Sequence, residues 1–339
     1  MKIYNFFLKG FILAFLIFSI YSCTSDKKKQ KKDKEIISEQ VINLNVPSFN
    51  KDSAYKYLEE QLSFGPRVIG SDAWLKCSKY LVNKLKLWAD TVIVQIAPVR
   101  TFDGKIFNAK NIIASFNPED DNRILLASHW DSRPFADKDP LPENRKKPID
   151  GANDGASGVA ILMEIAKILS QHKPPVGIDI ILFDAEDYGP TEDKKGIPNA
   201  DYFWGLGSQY WSKNPHKAGY KARYGILLDM TGTYNPTFTK EGFSVKYAPD
   251  ILDKVWNIAA SLGYSSIFVN KKTGYVMDDH YFVNEISGIP MIDIIHYDSN
   301  TSSGFFPYWH TTNDNIDNID KNTLEIVGHT ILTVIWNEH

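Results

Sequence analysis

Ile124-Leu125-Leu126-Ala127-Ser128 is an unbroken apolar and small run that ends in His129-Trp130-Asp131. A run of this length without alternation reads as a strand buried on both faces, the habit of a parallel sheet covered by helices. The pattern recurs downstream. Ile178-Asp179-Ile180-Ile181-Leu182-Phe183 leads into Asp184-Ala185-Glu186-Asp187, and Ile226-Leu227-Leu228 leads into Asp229. Three strands thus carry imidazole or carboxylate groups to one edge of the sheet, and ligands of such sheets bind beyond the carboxyl ends of the strands.

Outward from these strands, helical and extended periods alternate from about residue 50. Residues 54–62, 73–87, 157–169, 249–262 and 323–336 place apolar side chains at helical spacing; 92–96, 111–116, 123–128, 178–183, 224–228 and 290–295 read as strands. The expected architecture is α/β: a single domain with a mostly parallel, mixed central β-sheet flanked by helices.

The chain has 339 residues, 43% of them hydrophobic, with a net charge of −3 and two cysteines, Cys23 and Cys77. Such a composition excludes collagen-like, low-complexity and disulfide-framework proteins. Residues 1–35 hold eight Lys against three acids, so the remainder carries −8 and offers no footprint for nucleic acid.

Lys2 and Lys9 precede an apolar run from Phe11 to Ile20, and Ile20-Tyr21-Ser22-Cys23 follows. The run falls short of the roughly 20 residues a membrane span needs. Residues 1–22 therefore read as an export signal, and Cys23 as a lipidation site resembling that of bacterial lipoproteins. Residues 23–49, with their Lys cluster, would be a tether to the membrane, and residues 50–339 the catalytic domain. The expected location is outside the cytoplasm, facing the periplasm or the cell surface, with Cys77 an unpaired buried thiol.

More groups of the same chemistry follow. Gly151-Ala152-Asn153-Asp154-Gly155 precedes a helical stretch, and Trp309-His310-Thr311 follows the last strand. Taken singly, Asp154 reads equally as a helix N-cap, and His129 as a core histidine. Together, carboxylates packed this closely would repel one another and call for a cation, and imidazole with carboxylate suits zinc better than magnesium or calcium.

In sum the motifs resemble the zinc aminopeptidases of the M28 type: Phe64-Gly65-Pro66-Arg67 through Gly70-Ser71, His129-x-Asp131, residues 151–158, residues 183–187, Gly207-Ser208, Leu228-Asp229, Asp278-Asp279-His280 and Trp309-His310-Thr311. Within that superfamily they resemble the glutaminyl-peptide cyclotransferases, through Trp309 before His310, Trp204 before Gly207-Ser208, and the Asp278-Asp279 pair. The cysteine pair of the animal cyclases is absent, and Asp187 stands where better-known members have Glu.

That resemblance implies one zinc held by Asp154, Asp187 and His310, with Glu186 as general base and acid. Asp229 and Asp278 would share a proton or hydrogen bond beside the substrate amine, with Asp278 preferred over Asp279 on the family pattern alone. Trp204, Phe305 and Trp309 would wall the pocket. The implied substrates are peptides and proteins with an N-terminal glutamine. The alternative is a two-zinc aminopeptidase using His129, Asp154, Asp187, Asp229 and His310. A binding lipoprotein without catalysis would need a broken site, and no candidate position is broken. Residues 189–200, with two Pro and two Gly, read as a surface loop near the site.

Overall fold

The computed structural model describes residues 42–43, 45–194 and 196–339, of which 42–339 form one compact unit. The expected export signal, Cys23 and most of the expected tether lie outside the described residues. Helices α1 (Lys51–Leu62) and α2 (Asp72–Leu85) come first, each opened by a side-chain cap. Asn50 accepts from Ser53 N at 3.0 Å, and Ser71 from Trp74 N at 3.1 Å, which gives the Gly70-Ser71 motif its local job.

Strands β1 (Thr91–Arg100), β2 (Ile106–Phe116) and β3 (Arg123–His129) precede α3 (Ala156–Gln171) and β4 (Gly177–Phe183). Then come α4 (Leu206–Lys213), β5 (Gly225–Asp229), β6 (Phe238–Lys240), α5 (Gly242–Tyr247), α6 (Pro249–Ser261) and β7 (Phe268–Lys272). The chain finishes with α7 (Asp279–Phe282), β8 (Met291–Ile295) and α8 (Lys321–Trp336). The main sheet has the order β1-β2-β4-β3-β5-β8. Strands β4, β3, β5 and β8 run parallel, and β2 pairs antiparallel with both β1 and β4.

Every residue of β3, β4, β5 and β8 is buried. Alternate residues serve two cores. Ile124, Leu126, Ile178, Ile180, Leu228 and Ile294 pack with α3 and α8, whereas Leu125, Ala127, Ile181 and Leu227 pack with Trp211 of α4 and Val283. Removing both faces of four strands from water is the main source of stability here, at about 25 cal/mol per Å² of apolar surface. The mixed, mostly parallel sheet expected from the apolar runs is present, and Cys77 is buried and unpaired. Sequence periodicity did not reveal α4, α5, α7 or the small sheet of β6 with β7.

β3 connects through α3 to β4 on one side, while β5 pairs with β3 on the other. This reversal of direction opens a crevice at the strand ends, where His129 closes β3 and Asp229 closes β5. Gly155 is needed beside it. Its φ is +102°, and a Cβ there would come within 2.5 Å of the His129 carbonyl oxygen.

Candidate active site

The turn after β4 is held from three sides. Asp184 accepts from Trp74 Nε1 at 2.9 Å and from the backbone N–H of Lys110 and Ala185. Asp131 accepts from Glu186 N at 3.1 Å on one oxygen and from Asp187 N at 3.2 Å on the other. Arg133, fully buried, donates to the Asp187 carbonyl and carboxylate at 3.2 Å each. Ala185, Met230 and His310 all have positive φ without being glycine, strain of the kind that gathers at functional sites.

Asp154 is fixed from another direction. Asp314 accepts from Asn153 N at 2.8 Å and from Asp154 N at 3.1 Å, and Arg67 donates to the carbonyls of Trp130, Asp150 and Gly151. The helix cap is Gly155, with no side-chain cap bond, so Asp154 is not the N-cap. Its carboxylate is free to face the crevice.

There it meets Asp187 and His310. The ligand atoms of these three buried residues lie within 4.8 Å of one another. His310 Nε2 is 3.3 Å from Asp187 Oδ1 and 3.6 Å from Asp154 Oδ2, while its Nδ1 is 3.5 Å from Asp137 Oδ1. An outer carboxylate behind a histidine whose other nitrogen faces two carboxylates is the arrangement of metal-bound imidazoles. Asp187 Oδ2 is buried with no hydrogen-bond partner. One nitrogen, two carboxylates and an orphaned oxygen fit a zinc ion, and would hold it without rearranging the backbone.

A second group of ligand atoms, from His129, Asp154 and Asp229, adjoins the first through Asp154. His129 Nε2 is 3.0 Å from Asp154 Oδ1 and 3.2 Å from Asp229 Oδ1. Asp229 Oδ1 faces His129, Asp278 Oδ1 accepts from the backbone of Asp279 at 2.5 Å, and Asp278 Oδ2 is buried with no hydrogen-bond partner among the described residues.

Burial sets the protonation of the carboxylates. It raises Glu186 well above the ordinary glutamate value, and the negative charges of Asp278 and Asp187 add to the effect against His129. Burial pushes Asp229 up to about 7, with Asp154 and Asp278 adding to it and His129 opposing. Asp278 is likewise raised by burial.

Glu186, Asp154, Asp187, Asp229, Asp278 and His310 all line one cavity of about 340 Å³, and Trp204, Phe305 and Trp309 wall it. Nine of the expected site residues thus share this cavity; His129 does not line it but adjoins it through Asp154 and Asp229, and Cys23 lies outside the described residues. Asp279 is buried behind the wall and does not line the cavity, so Asp278 is the carboxylate on display. The Trp204 indole stacks on the His310 ring with centroids 6.0 Å apart, and the Arg133 guanidinium lies 4.8 Å from its centroid. Trp309 stacks on His310 at 3.7 Å and touches Phe305 at 4.7 Å. Trp211, by contrast, is a core residue against Phe183.

Sequence reasoning assigned no part to Asp131, Arg133, Asp137 or Asp314, all of which hold ligand residues in place. The signal for Asp131 was its place in His129-x-Asp131, two residues beyond a strand end. His280, also without a part, pairs through Nε2 with Glu241 at 3.0 Å. The loop 189–200 is tied down at Gly189, whose carbonyl accepts from Arg133, and at Glu192, which pairs with Lys138.

Comparison with known proteins agrees with this geometry. Residues 111–335 match the model of Peptidase family M28. The glutaminyl-peptide cyclotransferase of Gloydius blomhoffii is 27% identical over 248 residues, covering 63% of this chain and 61% of that protein. The structure is similar to the glutaminyl cyclase of Bacteroides thetaiotaomicron bound to N-acetylhistamine, with a TM-score of 0.85 and 50% identity, over 87% of this chain and all of that one. A Zn-dependent exopeptidase from Parabacteroides distasonis is similar at a TM-score of 0.84 and 49% identity, over 86% of this chain and 99% of that one. With the family model matching more than half of its length, the chain belongs to peptidase family M28, among relatives that include glutaminyl cyclases.

Proposed function

We propose that the protein is a zinc-dependent glutaminyl-peptide cyclotransferase, which converts the N-terminal glutamine of peptides and proteins to pyroglutamate and releases ammonia. The observation that carries the reading is a buried Glu186 beside the Asp154, Asp187 and His310 trio, inside a cavity of about 340 Å³ walled by three aromatic side chains. Likeness to a cyclase at 50% identity over the whole of that protein supports it.

In this reading one zinc, held by Asp154, Asp187 and His310, would serve as a Lewis acid for the side-chain carbonyl of the glutamine. Glu186 takes a proton from the α-amine, which forms a bond to that side-chain carbonyl carbon. The bond from this carbon to the side-chain nitrogen then breaks. Glu186 gives the proton to the departing nitrogen, which leaves as ammonia. Attack within one residue makes orientation the main demand, and Trp204, Phe305 and Trp309 hold the folded-back side chain. Asp278 and Asp229 face the amine, where a carboxyl of raised pKa either accepts or donates a hydrogen bond.

A second reading rests on the His129, Asp154 and Asp229 group, which would hold a second zinc in an aminopeptidase. Ammonia release from a glutaminyl dipeptide, with zinc content measured on the same sample, separates the two. Ammonia with about one zinc per chain supports the cyclase; a free amino acid with about two supports the peptidase.

The N-terminal residues support export and anchoring through a lipid on Cys23. No described helix is long and apolar enough to cross a membrane. Loss of membrane association in Cys23→Ser is the test.

A further inference from the structure

A cyclase that works on the first residue must let the rest of the peptide leave the pocket. Two flanks adjoin its mouth. One is a polar recess of about 580 Å³ reached past Ser303 and Trp309 and lined by Lys138, Thr301 and Thr311. Three of its hydroxyls already have partners: Thr301 Oγ1 donates to the Phe305 carbonyl, Ser303 Oγ accepts from Phe305 N, and Thr311 Oγ1 donates to the Tyr308 carbonyl. Lys138 is paired with Glu192.

The other flank is aromatic. Tyr275 lines the cavity yet is 67% exposed. Its ring lies 4.7 Å from Phe243, which lies 4.5 Å from Tyr281 and 6.1 Å from Tyr247. Tyr202, 56% exposed and two residues from the pocket wall Trp204, has its ring 6.3 Å from Phe282, which lies 5.1 Å from Tyr281. The strip starts at the pocket with Tyr275 and runs outward to Tyr202. Tyr275 and Tyr202 are exposed, with Phe243 and Tyr281 half-buried between them, and aromatic groups that open to solvent beside a pocket mark a recognition surface.

Resting on the cyclase reading, we propose that Tyr275, Phe243, Tyr281 and Tyr202 form an extended subsite for apolar or aromatic side chains at the second to fourth residues of the substrate. The two ring steps beyond Tyr275 span about 9 Å. An extended chain advances about 3.4 Å per residue, so two to three residues beyond the glutamine lie along the strip. The preferred substrates are polypeptides whose N-terminal glutamine is followed by apolar residues, and an all-alanine continuation gains little from the strip.

The test is ammonia release by the full-length protein from H-Gln-Ala-Phe-Leu-NH2 and from H-Gln-Ala-Ala-Ala-NH2. The expected ratio of kcat/KM is about three- to tenfold in favour of the first, the scale of one or two aromatic contacts. In Tyr281→Ser, and independently in Tyr202→Ser, the ratio falls towards one. Equal use of the two peptides by the wild type, or a ratio unchanged in both variants, overturns the subsite while leaving the cyclase reading intact. Ammonia from neither peptide overturns both. Self-association that Tyr281→Ser abolishes, with the ratio unmoved, overturns the subsite by assigning the strip to a second copy of the chain.

Discussion

Gly189 lies flat against the indole of Trp204, and a Cβ on it would come within 2.0 Å of the ring. Its hydrogen side chain is what lets Trp204 stand parallel to His310 and close the pocket. Gly189→Ala is expected to push the indole out of the wall and lower kcat/KM by about tenfold, on the order of 1.4 kcal/mol of lost positioning. Zinc content should not change. A variant with unaltered kinetics would show that Trp204 does not shape the pocket.

Glu186→Gln keeps the shape of the site and removes its base. Turnover should fall by about 10²- to 10⁴-fold with zinc still bound, as read by ammonia release and metal analysis together. Appreciable activity in this variant would overturn the assignment of Glu186.

Asp137 touches no substrate, yet its carboxylate stands 3.5 Å behind His310 Nδ1 and 2.7 Å from Arg133 Nε. Asp137→Asn should weaken zinc binding by about 10- to 100-fold, measured by competition with a chelator. Unchanged affinity would mean that His310 is oriented by stacking between Trp204 and Trp309 alone.

Glu241 contributes to acid stability. Burial opposes its charge, but His280 and the backbone N–H groups of Phe243 and Ser244 hold it at about 2, below the ordinary 4.5. A depressed carboxyl stabilises the fold fully above its unfolded pKa and loses that contribution as pH falls through the folded one. The contribution, about 3 kcal/mol at neutral pH, should therefore fade between about pH 4.5 and pH 2. Urea unfolding should show Glu241→Gln less stable than wild type at pH 7 and losing less over that acid window. Parallel pH curves for the two proteins would refute the linkage.

The four parallel strands were legible because burial on both faces leaves little room for polar residues, so each is written as a largely apolar run. Glu186, Asp187 and Asp229 could be found because they follow such runs, and Asp154 because it stands just before a helical stretch. Strand β6 has three residues and helix α7 four, too few to complete a period. The Glu241–His280 pair joins residues far apart in sequence with no pattern between them, and Arg133 and Asp137 look like surface charges until the chain is folded.

Asp154, Asp187 and His310 reach the metal position from before α3, after β4 and after β8, so that the trio is separated by most of the catalytic domain. A polypeptide cut short after β8 would own every strand of the sheet and still lack the third ligand. Zinc binding by this trio would therefore call on a chain folded all the way from the turn before α3 to the segment beyond β8.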